Sequence, residues 1–162
     1  MTYDYLQDSL GLSVHHTNLY ASKMYNGNDN ADKTVNEYIA AGVPASKLVM
    51  GMAFYGRASI VAENDQNGLG VKTTGKAQGG GYTLIKDSLI NRQGFKYFRD
   101  REAKAPYLYN SSTRQFISFD DEWSVKNKAG YVKDKKMGGV MFWEYTSDKK
   151  EYLLDAVNQV FK

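Results

Sequence analysis

The chain has 162 residues, with 21 lysines and arginines against 18 aspartates and glutamates, which gives a formal net charge of +3. The basic residues are dispersed among acidic ones, which argues against a nucleic-acid-binding protein, because such proteins cluster their positive charge on one face. No apolar run approaches the roughly 18 residues of a membrane span, and the absence of cysteine excludes disulfides and thiolate metal sites.

Aromatic residues are unusually frequent, with 13 tyrosines, 7 phenylalanines and 2 tryptophans. Most single tyrosines of a globular protein belong to its core. Aromatic rings are also stiff and amphipathic, so an excess of them suits a surface that stacks on flat ligands such as sugar rings. The composition leaves both interpretations open.

The residues from 30 to 54 predict a helix, a tight turn and a buried strand. Asn30 or Asp32 is suited to cap the helix, and Gly42 is suited to end it. The helical spacing of apolar residues predicts an inward face made of Val35, Tyr38 and Ile39. The run 48–54 is apolar on both faces of an extended chain, which is typical of a buried parallel strand.

A second buried strand is predicted at 138–143, between two helices. The helix before it covers residues 121 to 133 with Asp120 as its cap, and Ser147 is the predicted N-cap of the closing helix. The closing helix has an apolar face made of Leu153, Ala156, Val157, Val160 and Phe161. Helices that alternate with buried strands indicate an α/β layer with parallel strands.

Residues 59–118, between the two strands, have a different pattern. The glycines of 68–70 and 79–81 indicate loops. The segments 107–109 and 115–119 flank a polar turn and predict a β-hairpin. This part of the chain is therefore predicted to be a small α+β insertion in the α/β scaffold.

Two patterns that suggest other functions lack the residues they require. The segment 70–76 has the spacing of a phosphate-binding loop up to its lysine, but Ala77 replaces the hydroxyl residue that would bind magnesium. His15 and His16 are adjacent, so their side chains point in different directions, and no acidic residue stands at ligand spacing. The sequence therefore predicts neither a metal nor a cofactor.

Aromatic and charged residues stand together at three predicted strand ends, which are Met1–Asp4, 54–57 and 142–145. In parallel barrels, the carboxyl ends of the strands and the loops after them build the active site. Sugar recognition requires ring faces together with paired hydrogen-bonding groups. Three such strand ends in one chain favour a carbohydrate-binding groove.

The residues at these strand ends resemble glycoside hydrolase family 18. The motifs that carry the resemblance are M-T-Y-D at 1–4, A-G-V-P-A-S-K-L-V-M-G-M-A-F-Y-G-R at 41–57 and G-G-V-M-F-W-E-Y at 138–145. The segments H-H-T-N-L-Y at 15–20 and F-I-S-F-D-D at 116–121 support it. The resemblance extends over essentially the whole chain.

The resemblance implies an α/β fold that comprises the last three strand–helix units of a (β/α)8 TIM barrel with a small α+β chitinase insertion domain. Residues 1–58 and 119–162 would form the partial barrel, and residues 59–118 the insertion. Members of the family hydrolyse β-1,4-linked N-acetylglucosamine polymers with retention. The acetamido oxygen of the substrate attacks the anomeric carbon in place of an enzyme carboxylate, and a protonated glutamate supplies the leaving-group proton.

The resemblance assigns roles to six residues. Tyr3 matches the phenol that holds the attacking acetamido group, and Asp4 matches a carboxylate that binds sugar hydroxyls beside the scissile bond; both are candidate catalytic residues. The candidate substrate-binding residues are Tyr55, Arg57, Trp143 and Glu144. Trp143 corresponds to the indole under the sugar that is cleaved, whereas Arg57 either binds a sugar or orients Asp4.

One departure from the family is large, because the D-x-x-D-x-D-x-E motif that carries the acid occurs nowhere in this sequence. We expect the chain to be part of an active extracellular or periplasmic chitinase and to be inactive alone. A non-catalytic chitin-binding module is the alternative. A third is an interaction role, since unpaired strand edges favour self-association or pairing with a complementary N-terminal half. Chitin or N-acetylglucosamine oligosaccharides are the expected ligands, without nucleic acid or membrane.

Overall fold

The computed structural model describes residues 1–5, 11–27 and 29–162. Its strands are β1 (Val49–Ala53), β2 (Tyr55–Val61), β3 (Thr73–Gly81), β4 (Lys96–Asp100), β5 (Ala105–Asn110), β6 (Gln115–Ser118) and β7 (Gly139–Trp143). Its α-helices are α1 (Ala31–Ala40), α2 (Tyr82–Leu84), which continues as a π-helical turn to Leu89, α3 (Glu122–Asp134) and α4 (Tyr152–Phe161). Within the described ranges, no helix is long and apolar enough to span a membrane.

Helix α1 forms where the sequence predicts it. The side chain of Asn30 accepts a hydrogen bond from the backbone N–H of Lys33, and Gly42 follows the helix with φ +91°. The predicted inward face is only partly right, because Val35 is buried whereas Tyr38 is 54% exposed. Ile39 is exposed as well, so α1 covers the core with a narrower stripe than its spacing suggests.

Strands β1 and β7 form a parallel pair, as the two apolar runs predict. Val49 aligns with Gly139 and Ala53 with Trp143, so the carboxyl ends of both strands lie at the same edge. Four of the five β1 residues are buried, whereas β7 is half-buried and ends in an exposed Trp143. The fold is therefore mixed α/β.

The first residues of the chain do not form the strand that the sequence suggests. Residues 1–5 have no strand assignment, although they lie against β1. The Thr2 hydroxyl donates a hydrogen bond to the Gly51 carbonyl at 2.7 Å. In a paired strand, a backbone N–H would donate to this carbonyl instead. The prediction of a strand end at Met1–Asp4 differs from the structure in this respect.

The second sheet is antiparallel, with the order β3-β2-β6-β5-β4. Its β5–β6 hairpin confirms the hairpin predicted from the sequence. Strand β2 begins at Tyr55, so this sheet starts four residues before position 59, where the insertion is predicted to begin. A single core of buried residues, which includes Met52 of β1, Leu108 of β5 and Leu153 of α4, joins both sheets.

Two helix caps differ from the predicted ones. Asp121, not Asp120, caps α3, because its carboxylate accepts from the Ser124 N–H while the Ser124 hydroxyl accepts from the Asp121 N–H. Ser147 does not cap α4. The buried Asp148 carboxylate takes that place and accepts three backbone N–H groups at the start of α4, those of residues 152–154.

Asp120 is instead part of a buried ion pair. Lys128 Nζ lies 2.6 and 2.8 Å from the two Asp120 carboxylate oxygens, and both side chains are fully buried. Thr17 Oγ1 donates to Asp120 at 2.8 Å, and the Ala53 N–H donates to it at 3.3 Å. This network connects α3, the end of β1 and the segment around Thr17.

Candidate functional site

Four of the six candidate residues meet beside the carboxyl end of β1. Tyr3 and Asp4 lie at the start of the chain, and Tyr55 and Arg57 are the first and third residues of strand β2, which follows β1. Trp143 lies at the end of β7, where it is paired with Ala53. The parallel alignment of β1 and β7 therefore places all three motifs at the same edge of the fold.

The Asp4 carboxylate accepts three hydrogen bonds from two residues. Tyr55 Oη and Arg57 Nε both donate to Asp4 Oδ1 at 2.8 Å, and Arg57 Nη2 donates to Oδ2 at 2.8 Å. Arg57 thus forms the bidentate pair in which a guanidinium fits a carboxylate best. The pair is consistent with the second of the two roles that the sequence left open for Arg57, that of orienting Asp4, and sugar binding by Arg57 stays a prediction.

The backbone of Asp4 adopts a conformation that disfavours most residues. Its φ of +62° lies in the left-handed region, which costs roughly 1–2 kcal/mol for a residue with a side chain. Such conformations persist where the surroundings fix them. The hydrogen bonds from Tyr55 and Arg57 supply that constraint and direct the carboxylate to one place.

Tyr3 packs directly on the backbone of β1. A Cβ atom at Gly51 would lie 2.8 Å from Tyr3 Cε1, so only glycine at this position leaves room for the ring. The Tyr3 and Tyr55 rings meet edge to face at 6.2 Å, and the Tyr3 hydroxyl lies 4.0 Å from Met141 Sδ on β7. Burial, followed by the charge of Asp4, raises the pKa of Tyr3, so its phenol keeps its proton and can donate it.

Trp143 presents its indole to the outside. The side chain is 57% exposed at the end of β7. The peptide bond between Trp143 and Glu144 is cis. The Glu144 carboxylate accepts from the hydroxyls of Thr146 and Ser147, so it stabilises the turn after β7. Trp143 is therefore free to stack on a ligand, whereas part of the Glu144 carboxylate is engaged.

A cavity of about 660 Å³ opens beside these residues. Its lining includes Tyr55, Arg57, the glycine-rich end of β3 and the segment that begins at Gly11, whereas Tyr3, Asp4 and Trp143 are not among its lining residues. Small-molecule sites have volumes of roughly 300–1,000 Å³. The cavity is therefore of a size that suits a ligand of several rings.

His16 is a neighbour of the site that the sequence did not identify. Its side chain is fully buried, and Nδ1 lies 3.5 Å from Asp4 Oδ1. The acid is twelve positions away in the chain, so no local spacing revealed the contact. His15 meets a different acid, Asp100, at 3.3 Å. Among the described residues, no group of three acidic, histidine or cysteine side chains could hold a metal ion.

We expect the Asp4 carboxyl to remain ionised below the ordinary aspartate pKa of about 3.9. The hydrogen bonds from Arg57, and next the contact with His16, lower the pKa of Asp4 more than burial raises it. Because the folded-state pKa is the lower one, the stabilisation that the pair provides is present above the unfolded-state pKa and is lost as the pH falls through the folded-state pKa.

A carboxyl ¹³C NMR titration of Asp4 measures this shift. In the matched variant Arg57→Met, the midpoint should rise towards the ordinary aspartate value, because the largest cause of the shift is removed. A wild-type midpoint at the ordinary value would contradict the expectation.

The fold is α/β, with an exposed indole at the carboxyl end of one parallel strand and a clamped carboxylate beside the carboxyl end of the other. The carboxyl ends of parallel strands are where α/β barrel enzymes carry their active sites. The family model described as Glycosyl hydrolases family 18 matches residues 1–148. The chain belongs to this family, which confirms the family that the sequence motifs indicated.

Individual relatives agree with this assignment. The chain is 37% identical over 156 residues to Endochitinase 1 of Metarhizium robertsii. The aligned region covers 93% of this chain and 35% of the relative. It also resembles the structure of a family 18 N-acetylglucosaminidase from Paenibacillus barengoltzii, with a TM-score of 0.92 and 41% identity over 99% of this chain and 47% of that chain.

A plant protein shares the fold alone. The structure of a family 18 chitinase from Cycas revoluta in complex with (GlcNAc)4 has a TM-score of 0.87 and 24% identity, and the match covers 100% of this chain and 46% of that one. The chain therefore spans less than half the length of these three relatives.

Proposed function

We propose that this chain forms the substrate-positioning part of a chitinase active site and that its parent protein hydrolyses β-1,4-linked N-acetylglucosamine polymers. The observation that carries the proposal is the meeting of Tyr3, the clamped Asp4 and the exposed Trp143 at one edge of the β1–β7 pair. Two relatives support it, because one is named an endochitinase and the other an N-acetylglucosaminidase.

In the proposed reaction, the acetamido oxygen of the substrate attacks the anomeric carbon while the bond to the leaving sugar breaks. The Tyr3 hydroxyl donates a hydrogen bond to the acetamido group and holds it in line, which lowers the entropic part of the barrier. Trp143 stacks beneath the sugar whose bond is cleaved.

Asp4 accepts hydrogen bonds in this scheme and does not donate the leaving-group proton. A general acid must be protonated at the working pH, whereas the pair with Arg57 holds the pKa of Asp4 far below that range. The proton therefore comes from a glutamate outside this sequence, and the chain alone is inactive.

The fold supports a more detailed architecture. We assign β1 and β7, with residues 1–5 beside β1, to the last three strand–helix units of a (β/α)8 barrel, and the antiparallel sheet to the insertion between them. Residues 1–58 and 119–162 then form the partial barrel and 59–118 the insertion domain, except that strand β2 of the insertion's sheet already begins at Tyr55. The parallel β1–β7 register and the structural match to family 18 enzymes support this division.

The partial barrel also suggests how the chain associates. Among the described residues, β7 pairs only with β1, so its second edge has no strand beside it. Open edges of this kind pair with other strands. The proposal therefore includes self-association, or pairing with the rest of a barrel. It also places the parent protein outside the cytoplasm, where chitin is accessible.

Binding of a chitin oligosaccharide is expected to quench tryptophan fluorescence, and Trp143→Ala should abolish the quenching. Loss of the stacked indole should weaken binding about tenfold, equivalent to about 1.4 kcal/mol. Trp123→Phe is the matched control, because the second tryptophan lies under Arg99, away from the proposed groove.

The titration distinguishes the proposed function from a purely structural role. A binding module without catalysis would show the same quenching, whereas a structural protein would show none. Unchanged fluorescence at millimolar ligand, or equal quenching in Trp143→Ala, would contradict the assignment of Trp143.

A further inference from the structure

His16 is a buried polar side chain that the proposed reaction does not use. The residue is fully buried, and neither ring nitrogen has a hydrogen bond of ordinary length among the described residues. Buried polar atoms without partners are costly, so each one requires an explanation. The nearest acceptor to Nδ1 is Asp4 Oδ1, at 3.5 Å, which is long for a hydrogen bond.

The backbone on both sides of His16 is fixed. Its N–H donates to Ser118 Oγ at 3.0 Å, and its carbonyl accepts from the Tyr5 N–H at 3.1 Å. The second contact ties the His16 backbone to the residue that follows Asp4. The ring also packs against Tyr55 at 5.5 Å between centroids, so it lies behind the phenol that donates to Asp4.

The proton on the ring is constrained by its surroundings. Burial lowers the pKa of His16, and the carboxylates of Asp4 and Asp120 do not fully offset this effect; Lys128 is the cation that faces the ring and lowers the pKa further. The imidazole is therefore neutral and carries one N–H. If that proton were on Nε2, the Nδ1 lone pair would face the Asp4 carboxylate and repel it.

We propose that His16 is a positioning residue that donates its Nδ1–H to Asp4 Oδ1 and completes the clamp that Tyr55 and Arg57 begin. A shift of about 0.5 Å brings the two atoms to an ordinary hydrogen-bond length, and such contacts shorten when a substrate is bound. The inference rests on the proposed function only in that Asp4 is the group being positioned for a sugar.

This arrangement gives Asp4 a rear contact that solvent cannot replace. Arg57 and Tyr55 are both partly exposed, so water competes for their hydrogen bonds. His16 is inaccessible to water and contacts Asp4 from the core. The imidazole therefore holds the Asp4 carboxylate against the buried core, whereas Arg57 holds it against strand β2.

Imidazole ¹⁵N NMR of the ligand-free chain tests the proposal, because the chain has only two histidines. For His16 we expect a pyrrole-type shift at Nδ1 and a pyridine-type shift at Nε2, and Asp4→Ala should move the Nδ1 resonance. His15 is the internal control: its signals should be unchanged by Asp4→Ala and should move in Asp100→Asn, since it contacts Asp100 through Nε2.

Two substitutions at position 16 separate positioning from packing. His16→Asn keeps an N–H close to the place of Nδ1 and should retain the Arg57 Nε–H resonance of the clamped pair, whereas His16→Leu should shift it. The wild-type tautomer decides the question even if His16→Leu does not fold.

An unprotonated Nδ1 at neutral pH would overturn the proposal. An Nδ1 resonance that is indifferent to Asp4→Ala would do the same. None of these measurements involves a sugar, so they stand or fail separately from chitin binding.

Discussion

Lys128→Met is expected to lower the free energy of unfolding by about 3–5 kcal/mol, the cost of removing one partner of a buried ion pair. Lys128 Nζ donates to both Asp120 oxygens and to Thr17 Oγ1, and the pair is fully buried. Methionine fills much of the same volume but leaves the Asp120 carboxylate without its counter-charge. Urea denaturation monitored by circular dichroism measures the loss.

The matched control is Lys126→Met, two positions away on α3, where the side chain is exposed. A surface substitution of this kind should change the free energy of unfolding by no more than about 0.5 kcal/mol. The double variant Lys128→Met with Asp120→Asn should recover part of the loss, because it removes the unpaired charge. Equal stabilities of Lys128→Met and Lys126→Met would show that the buried pair does not act as described.

Gly79→Ala is the second substitution with a large expected effect. A Cβ atom at this position would lie 2.0 Å from the carbonyl oxygen of Gly56 and 2.7 Å from the backbone nitrogen of Arg57. Both obstacles are backbone atoms, so strands β2 and β3 must separate to admit the methyl group. Forcing extra volume into a packed site costs roughly 1–3 kcal/mol, occasionally more.

The same strand supplies the control. A Cβ atom at Gly75, also on β3, meets nothing within 4 Å, so Gly75→Ala should be nearly neutral. Gly79 lies opposite the irregular register between Tyr55 and Arg57, where a bulge sets the direction of both side chains. Gly79→Ala should therefore also shift the Arg57 Nε–H resonance, and a variant as stable as Gly75→Ala would contradict the close approach.

Local chemistry made part of the fold predictable. Asn30 and Gly42 bound α1 as expected, because capping and left-handed glycine depend on neighbouring residues alone. The apolar runs of β1 and β7 predicted their parallel pairing, since a strand buried on both faces is typical of parallel sheets. The hairpin of β5 and β6 followed from its polar turn.

The errors arise where distant residues compete with local patterns. Asp120 has the position and side chain of a helix cap, but the amine of Lys128 and the hydroxyl of Thr17 claim its oxygens, and Thr17 is 103 positions away. Asp121 caps α3 instead. No spacing rule within a helix could have assigned the two neighbouring carboxylates correctly.

The candidate site was predictable in composition and not in geometry. The strand-end motifs identified Tyr3, Asp4 and Tyr55, and the structure brings them together. The sequence did not predict the bidentate pair of Arg57 with Asp4 or the contact of His16 with Asp4. These partners are far apart in the chain, and only the fold brings them together. For Glu144 the structure adds a hydrogen-bonded turn that the motif did not predict, and the sugar contact suggested by its motif position stays a prediction.

The contact between Tyr3 and Met141 spans 138 positions, almost the whole chain. Closing a loop of this length costs conformational entropy. Tyr3 packs on Gly51 and reaches Met141 of β7, so this edge of the fold joins three segments that are far apart in the sequence. Contacts of such high sequence separation are the kind that slow the folding of a domain.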